Sequence, residues 1–416
     1  MPIDFNPHMY NPNNNQPQQN ISVQHSNAYG GNLLDTFIKN IKTKQAEKAA
    51  NYNGIKITQK PFGTIQKTGQ QAVLYTITNK NGASVDLSSY GATITGIKIP
   101  DKTGKIIDVT QGYNDVTPYE TAPVGHAGGT IGPCANKINN GEFTINDQTY
   151  KLECNKDKGK THCHGASEGF DIKNWNAKII KDGIEFTYLK PDMEGGYPGN
   201  VEAKVTYKFD NNNNLRIIYS AKTDKDTLLN LTNHTYFNLD GAENTQENAV
   251  YNHIVTLPNS STITQNNEIA IPTGKILKVE NTPFDFKNPK KIGDVINSDS
   301  DQLKIGAGFD QNYCIDGYDG KKMITIANVK SEKTGINLSV STNLPGFQFY
   351  TSNHLGKSTQ PAGKSGTKYE KRSALCVEPQ FYPNAINTKE FNEKGILKKG
   401  ETYNREIIYS FSAGQN

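Results

Sequence analysis

The stretch VEAKVTYKF, residues 201–209, decides the fold class. Its apolar and aromatic residues fall on every second position, and glutamate, lysine and threonine fill the positions between them. A period of two is that of a β-strand with one face buried and the other in water. Four asparagines, Asn211–Asn214, follow and predict a turn, after which a second apolar run begins at Leu215. The stretch therefore predicts two strands joined by a tight turn.

Similar turn signals recur along the chain. They are Asn81-Gly82, Asp182-Gly183, Asp316-Gly317 and Asp319-Gly320, with Asn146-Asp147 as a weaker case. Asn-Gly and Asp-Gly tolerate the positive φ that tight hairpin turns require. Long amphipathic helices and repeats of 20–50 residues are not evident, which disfavours βαβ units and a propeller. The sequence predicts a mainly antiparallel all-β fold, either a sandwich or an open barrel.

The first 52 residues differ in composition from the rest of the 416-residue chain. Residues 1–32 are rich in Asn, Gln and Pro and poor in apolar side chains, which predicts disorder. From Leu33 to about Ala50, apolar residues that share one helical face predict a short helix. We therefore expect residues 1–52 to form a low-complexity extension and residues 53–416 to form one β-rich domain.

The charge balance argues against several classes of partner. Lys and Arg together number 45, Asp and Glu number 41, and no basic block stands out. Nucleic-acid-binding proteins usually cluster their basic residues on one face, so we expect no nucleic-acid partner. No apolar run of about 18 residues is present, so we expect no transmembrane helix and no membrane partner.

Cysteine usage and the amino-terminal composition favour a cytoplasmic location. The five cysteines are odd in number and contain no CxxC pair, which is typical of reduced thiols. Residues 1–20 are polar and lack the apolar region of a signal peptide. Asn233-His234-Thr235 matches a glycosylation acceptor, but it lies within a candidate active-site segment, which argues against secretion.

Several segments combine ionisable or amide groups with aromatic residues and glycine, as sugar-binding sites do. They are THCHG (161–165) with the nearby Glu168–Asp171 and Trp175, NLTNHTYFNL (230–239), GFDQN (308–312), PGFQFY (345–350) and CVEPQ (376–380). A metal site needs three or four convergent ligands, and the pair His162 and His164 has no second ligand pair to complete one. Asn136-Lys137 lacks the spacing of a phosphate-binding P-loop. We expect no metal.

Composition alone does not decide whether His234 and Glu378 have structural or functional roles. His234 lies among Asn and Thr residues, where a hydrogen-bonded structural histidine is the simpler interpretation. Glu378 follows the apolar run 374–377, so it is either an edge residue in water or a buried functional carboxylate. His162 is interpreted as an incidental loop residue.

The order of these segments resembles the aldose 1-epimerase (galactose mutarotase) family over about residues 61–412. NLTNHTYFNL is similar to the catalytic-histidine motif of that family, and GPCANKI (132–138) is similar to its Gly-x-x-Ala-Asn-Arg-Ile motif. The other matching segments follow in the family's order: HCHGASEGFDIKNW (162–175), KPDMEGGYPG (190–199), GFDQNY (308–313), LPGFQFYTSNHL (344–355) and CVEPQFYPNAIN (376–387). Seven motifs in one order make chance similarity a poor explanation.

The resemblance implies a large antiparallel β-sandwich, the galactose mutarotase-like supersandwich, with an open sugar cleft. It implies an isomerase that interconverts the α and β anomers of free aldoses such as glucose and galactose without a cofactor. By matching position, His234 is the general acid and Glu378 the general base. The residues expected to line the sugar are Asn136, Lys137, His164, Tyr236, Asp310 and Gln348. The expected partner is a small-molecule sugar, and the protein is expected to be a monomer or a homodimer.

Anomerisation explains why an acid and a base are needed together. The C1 hydroxyl loses a proton while the ring oxygen gains one, and the two groups exchange roles when the ring recloses. Glutamate is ionised near neutral pH, and histidine carries a proton when an acidic neighbour raises its pKa. We expect Asp310 or Glu378 to raise the pKa of His234 in this way.

Two positions depart from the family pattern. Lys137 stands where the family has Arg, so a point charge replaces a planar fork. Pro379 follows the predicted base and removes a backbone N–H beside it. These changes motivate one alternative, a catalytically inactive carbohydrate-binding or sensing module, and an epimerase of a modified sugar is a further possibility. Retention of both His234 and Glu378 favours an active enzyme, and a phosphorylated sugar would require more cationic residues than Lys137.

Overall fold

The computed structural model describes residues 50–121 and 125–414. Strands dominate these residues, and the sheets confirm the predicted all-β class. The disorder predicted for residues 1–32 and the helix predicted after them lie outside the described residues, except that Ala50–Tyr52 form the first strand. No helix among the described residues is long and apolar enough to cross a bilayer.

Three large sheets contain most of the strands, and neighbouring strands in them are antiparallel. The six-stranded sheet follows chain order: β1 (Ala50–Tyr52), β2 (Ile55–Thr64), β3 (Gln71–Thr78), β4 (Ser84–Ser88), β5 (Thr93–Pro100) and β6 (Ile106–Asp108). The nine-stranded sheet has the order β12 (Asn176–Ile180), β13 (Gly183–Lys190), β14 (Val201–Phe209), β15 (Asn214–Thr223), β28 (Tyr403–Ala413), β24 (Ile336–Thr342), β23 (Ile324–Lys330), β18 (Ile254–Thr256) and β21 (Lys290–Lys291). The five-stranded sheet has the order β20 (Pro272–Lys278), β19 (Thr262–Asn266), β22 (Asp310–Cys314), β25 (Gly346–Tyr350) and β26 (Cys376–Gln380).

Short strand pairs and short helices connect these sheets. The pairs are β7 (Thr130–Ile131) with β17 (Thr232–Asn233), β8 (Lys137–Asn139) with β11 (Thr161–Cys163), β9 (Glu142–Ile145) with β10 (Gln148–Lys151), and β16 (Thr227–Leu228) with β27 (Ile396–Leu397). The described α-helices are α1 (Thr117–Thr121), α2 (Ile292–Val295) and α3 (Asp301–Gly306). Single 3₁₀ turns occur at Ala166–Glu168, Phe170–Ile172, Glu194–Gly196, Ala249–Asn252 and Ala385–Asn387.

Most of the predicted turns form hairpins. β14 has the bounds of the opening stretch, its alternate residues from Val201 to Phe209 are buried, and the asparagine turn joins it to β15. Asn81-Gly82, Asp182-Gly183 and Asn146-Asp147 also join paired strands. The turns at Asp316-Gly317 and Asp319-Gly320 do not form hairpins. They connect β22 of the five-stranded sheet to β23 of the nine-stranded sheet, because β22 pairs with β19 and β25 instead.

One apolar core is shared by the three large sheets. It contains Ile77 from the six-stranded sheet, Val205 from the nine-stranded sheet and Phe347 from the five-stranded sheet, each with no exposed surface. Tyr75 and Phe186 meet edge to face across the first two sheets, with ring centroids 5.9 Å apart. Burial of this continuous core fixes the sheets against one another, so residues from different sheets can converge reproducibly on one site.

A buried lysine anchors the loop KPDMEGGYPG. Lys190 is 1% exposed, and its ammonium group donates hydrogen bonds to the carbonyls of Pro191, Tyr197 and Gly199 at 2.8–3.0 Å. The Tyr197 hydroxyl in turn donates to His162 Nε2 at 2.7 Å, and His162 Nδ1 donates to the Glu153 carbonyl. His162 is therefore a buried structural residue, and its interpretation as an incidental loop residue was wrong.

We expect Lys190→Met to lower the free energy of unfolding by about 1–3 kcal/mol, because it leaves buried carbonyls without a donor. Urea denaturation measures this loss. The matched control is Lys204→Met on β14, since the Lys204 side chain is 38% exposed and pairs with Glu202 at the surface. Such surface pairs contribute about 0–1 kcal/mol. Equal losses in the two variants would contradict the anchoring role of Lys190.

Candidate active site

A cavity of about 320 Å³ is lined in part by β22, β25 and β26 of the five-stranded sheet. Its volume lies at the lower end of the usual range for small-molecule sites, about 300–1,000 Å³. All eight residues singled out from the sequence line it: Asn136, Lys137, His164, His234, Tyr236, Asp310, Gln348 and Glu378. They come from segments as much as 242 residues apart (378 minus 136), so the fold rather than the local sequence brings them together.

The five-stranded sheet supplies the acidic wall of the cavity. Gln348 on β25 lies directly opposite Glu378 on β26, and Asp310 begins the next strand, β22. Gln348 Nε2 donates a hydrogen bond to Asp310 Oδ1 at 2.6 Å. Glu378 is 2% exposed, and its Oε2 has no hydrogen-bond partner among the described residues. An unpaired buried acceptor is costly, so this oxygen is available for a donor on a ligand.

The short pair of β8 and β11, with the residues next to it, supplies further lining groups. The backbone N–H of Asn136 donates to His164 Nδ1 at 3.2 Å. This bond places the proton of a neutral imidazole on Nε2, where it can be donated. Lys137 Nζ donates to the Ile269 carbonyl at 2.7 Å and lies 3.3 Å from Asp157 Oδ2. The lysine head is therefore held in place at the cavity by two partners.

His234 lies directly after β17 and closes the base of the cavity. Its ring is stacked on Tyr236 at 5.0 Å between centroids, and it is 5% exposed. Its Nδ1 lies 3.6 Å from Cys376 Sγ, and its Nε2 lies 3.6 Å from Glu378 Oε2. Burial raises the pKa of the Cys376 thiol, so this group stays a thiol, and its sulfur can accept a hydrogen bond from Nδ1–H. Nε2 of a neutral His234 is then the unprotonated nitrogen, and it faces Glu378, whose proton it can accept.

Burial acts on the two central groups in opposite directions. It lowers the pKa of His234 to about 3, and the charges of His126 and Lys156 lower it further. It raises the pKa of Glu378 well above its ordinary value, and the nearby Asp310 adds to this. The expectation that an acidic neighbour raises the pKa of His234 was wrong, because desolvation and the nearby positive charges dominate. The pair therefore favours a neutral imidazole and a protonated carboxyl.

His234, Cys376 and Glu378 are also the described residues that come closest to a metal-binding cluster, since one ligand atom of each lies within 4.8 Å of the others. The thiol faces Nδ1 of the imidazole, whereas the carboxylate faces Nε2. One ion cannot bind both nitrogens of the same ring while it also binds the groups beyond them. The arrangement fits a chain of proton donors and acceptors better than it fits a chelating site.

Further lining residues were not predicted from the sequence. They are Gly125, His126, Lys156, Asp157, Cys163, Tyr350, His354, Leu355 and Lys357. Tyr350 and His354 lie in a quoted motif but were given no role. Lys156 and Lys357 add cationic groups that the sequence motifs did not supply. His126 lies in the glycine-rich stretch before GPCANKI, which shows no regular periodicity, so only its histidine among glycines could have drawn attention to it.

The fold accommodates both departures from the family pattern. Pro379 lies on β26, which is the edge strand of its sheet, and edge strands tolerate proline. Glu378 keeps its place opposite Gln348. Lys137 reaches the cavity and is fixed there by hydrogen bonds, although it offers a single charged head instead of a fork.

Known proteins share both the sequence and the fold. The family model described as aldose 1-epimerase matches residues 73–410. The galactose mutarotase of Bos taurus is 36% identical over 329 residues, which cover 79% of this chain and 91% of that protein. The aldose 1-epimerase of Escherichia coli (strain K12) is 32% identical over 352 residues, which cover 83% and 96% of the two chains.

Solved structures of aldose epimerases have the same fold as this chain. The aldose epimerase homologue from C. elegans superimposes with a TM-score of 0.72 at 30% identity and covers 80% of this chain and 97% of its own. The galactose 1-epimerase from Lactobacillus acidophilus NCFM gives a TM-score of 0.72 at 26% identity, with coverage of 86% and 99%. These likenesses confirm the predicted mutarotase-like sandwich. The chain belongs to the aldose 1-epimerase family of isomerases.

Proposed function

We propose that this protein interconverts the α and β anomers of free aldohexoses such as glucose and galactose, with His234 as general acid and Glu378 as general base. The observation that carries the proposal is the buried pair itself. Nε2 of His234 and Oε2 of Glu378 are 3.6 Å apart, and Glu378 Oε2 has no partner among the described residues. Two titratable groups at the base of one cavity are what simultaneous proton removal and donation require.

One proton on the pair is sufficient for the reaction. Burial alone favours that proton on Glu378, as the directions of the two pKa shifts indicate. Sugar hydroxyls that donate to the unpaired Glu378 Oε2 stabilise the carboxylate and shift the proton towards His234. The carboxylate then takes the C1 hydroxyl proton while His234 protonates the ring oxygen. On ring closure the two groups exchange roles, so the pair ends with one proton again.

The rest of the cavity supports binding of a polyhydroxylated ring. His164 offers an N–H, Gln348 and Asp310 offer a linked amide and carboxylate, and Lys137 offers an ammonium group. Tyr236 adds an aromatic ring that stacks on His234 and lines the cavity. A hydroxyl donates and accepts at once, so this mixture of donors and acceptors suits several hydroxyls on one small ring.

Polarimetry of freshly dissolved α-glucose and α-galactose tests the proposal. The wild-type protein should shorten the time to equilibrium rotation in proportion to its concentration. Equilibrium binding of galactose without acceleration would instead support the inactive binding module. Faster turnover of glucose 6-phosphate than of glucose would support the modified-sugar alternative, for which Lys156 and Lys357 would supply the required charge.

Lys137→Met should raise the KM for galactose by about 10-fold or more, because a charged hydrogen-bond donor contributes about 1.5–3 kcal/mol. We expect kcat to fall less than kcat/KM, since Lys137 contacts Asp157 and a carbonyl instead of the acid–base pair. Initial rates over a range of galactose concentrations measure both constants. Lys158→Met, an exposed lysine outside the cavity, is the matched control. An unchanged KM for Lys137→Met would remove Lys137 from the sugar-binding set.

We also propose a cytoplasmic location and a monomer or homodimer. The location is supported by five cysteines without a disulfide, four of them buried. It is further supported by the burial of Asn233, because a glycan on this fully buried side chain would be incompatible with the fold. Fractionation of cells and light scattering of the purified protein test the two statements.

A further inference from the structure

His126 is one of the four histidines that line the cavity, and a carboxylate holds one of its two ring nitrogens. Its Nδ1 donates a hydrogen bond to Asp171 Oδ2 at 2.6 Å. Its side chain is 16% exposed and lines the cavity. Its Nε2 makes no hydrogen bond with any residue in the described ranges 50–121 and 125–414. One nitrogen is therefore fixed by the protein while the other is available to a ligand.

The fold makes room for the carboxylate behind this histidine. The Asp171 side chain is 6% exposed, and His126 is its partner among the described residues. A Cβ atom on Gly129 would lie 2.7 Å from Asp171 Cβ, and one on Gly169 would lie 2.6 Å from Asp171 Oδ1. Glycine at both positions therefore leaves the space that Asp171 occupies. The buried carboxylate needs a close partner to offset its desolvation, and His126 is that partner.

The loop that carries His126 is tied to the proposed acid. Gly128 N–H donates to the His234 carbonyl at 2.9 Å, and His234 N–H donates to the Gly129 carbonyl at 3.1 Å. The His126 ring lies 4.8 Å from the His164 ring and 6.0 Å from the His234 ring, centroid to centroid. His126 also has a left-handed backbone, with φ of 54°. Only a minority of non-glycine residues adopt this conformation, so the surrounding structure must hold it.

His162 shows what a purely structural histidine looks like in the same protein. It has no exposed surface, and both of its nitrogens are hydrogen-bonded to protein groups, the Glu153 carbonyl and the Tyr197 hydroxyl. His126 differs in both respects, because its ring lines the cavity and its Nε2 has no hydrogen-bond partner among the described residues. The difference separates a ring that fills the core from a ring that is presented to a ligand.

We propose that His126 is a further sugar-contacting residue and that Asp171 is a positioning residue that orients its ring, so that the dyad fixes the aldose against His234 and Glu378. The inference rests on the proposed function, because it assumes that the cavity takes an aldose. A sugar hydroxyl can donate to a neutral Nε2 or accept from a protonated one, so the contact does not depend on the charge of His126.

A double-mutant cycle tests the dyad. His126→Phe keeps the volume of the ring and removes both nitrogens, and Asp171→Asn weakens the hold on Nδ1. Each single variant should raise the KM for galactose by about 10-fold with a smaller change in kcat. The double variant should be no worse than His126→Phe alone, because Asp171 acts through His126. Asp86→Asn is the control: Asp86 pairs with Lys98 and lies outside the cavity.

The pH profile gives a readout that a structural role would not move. The charge of His126 lowers the pKa of His234. His126→Phe should therefore shift the acidic limb of kcat/KM to higher pH, whereas Asp86→Asn should leave it in place. An unchanged KM in a normally folded His126→Phe variant would overturn the proposal. Effects of the two single variants that add in the double variant would overturn the positioning role of Asp171.

Calorimetric titration of galactose separates this inference from the proposed function. The titration uses Glu378→Gln protein with and without His126→Phe. If the wild type fails to accelerate mutarotation, the proposed function fails, yet weaker galactose binding in the His126→Phe variant would still support the contact. If the wild type is active and the two titrations give the same Kd, the proposed function stands and the contact is wrong.

Discussion

At pH 7 the Glu378→Gln variant should interconvert anomers about 10²–10⁴-fold more slowly than the wild type, and it should melt at a higher temperature. Activity falls because a glutamine amide cannot take the C1 hydroxyl proton. Stability rises because the pKa of Glu378 is raised above its ordinary value of 4.5 by burial and by Asp310. The stability that this carboxyl contributes is fully present below pH 4.5 and is lost as the pH rises through the raised pKa. Glutamine stays uncharged at every pH, so it avoids that loss.

Polarimetry and thermal melts between pH 4.5 and 8 measure the two effects. The stability gain should grow by about 1.4 kcal/mol per pH unit until the pKa of Glu378 is reached. Asp86→Asn is the control with the opposite sign, because Asp86 accepts hydrogen bonds from Lys98 and Thr76 at 2.6 Å and its loss should destabilise an active protein. A Glu378→Gln variant that is less stable at pH 7 would show that the buried carboxyl is not held protonated. A fully active one would remove Glu378 as the base.

The strands were easier to predict from the sequence than their pairing. Alternation in residues 201–209 specifies β14 residue by residue, because burial of one face acts on every second side chain. Asp319-Gly320 predicts a turn equally well, yet no hairpin forms there, since the chain crosses from one sheet to another. A dipeptide fixes local φ and ψ, whereas the choice of partner strand depends on distant residues such as Gly346, which pairs with Cys314.

The predicted site residues were found through the order of motifs rather than through periodicity. Composition alone favoured a structural His234, and only the family resemblance gave it a role. No role was predicted for His126, because it lies in a glycine-rich stretch without a periodic pattern. No role was predicted for Asp171 either, because its partner lies 45 residues away in the sequence. The direction of the His234 pKa shift was missed for a different reason. Desolvation depends on how completely the fold buries a ring, and the sequence does not show that.

His234→Asn should also lower the rate of anomer interconversion by about 10²–10⁴-fold, because the variant lacks a group that exchanges protons with the ring oxygen. Its effect on stability has the opposite pH dependence to that of Glu378→Gln. Burial and the charges of His126 and Lys156 lower the pKa of His234 to about 3. The folded protein therefore keeps this ring neutral while the unfolded chain protonates it below its ordinary pKa of 6.5. The contribution of His234 is fully present above pH 6.5 and is lost as the pH falls towards 3.

Urea denaturation at pH 7 and pH 5 measures this dependence. Through His234 alone, the free energy of unfolding of the wild type should be about 2 kcal/mol lower at pH 5 than at pH 7. His234→Asn should lose less stability than the wild type over that interval. The matched control is His253→Asn, since His253 is buried outside the cavity, its pKa is lowered to about 4 and its Nε2 accepts the Leu239 N–H at 2.9 Å. Like His234→Asn, it should lose less stability than the wild type between pH 7 and pH 5, but it should keep full activity. Activity lost in both variants would mean that His234→Asn acts through folding, whereas activity lost only in His234→Asn assigns the proton transfer to His234 itself.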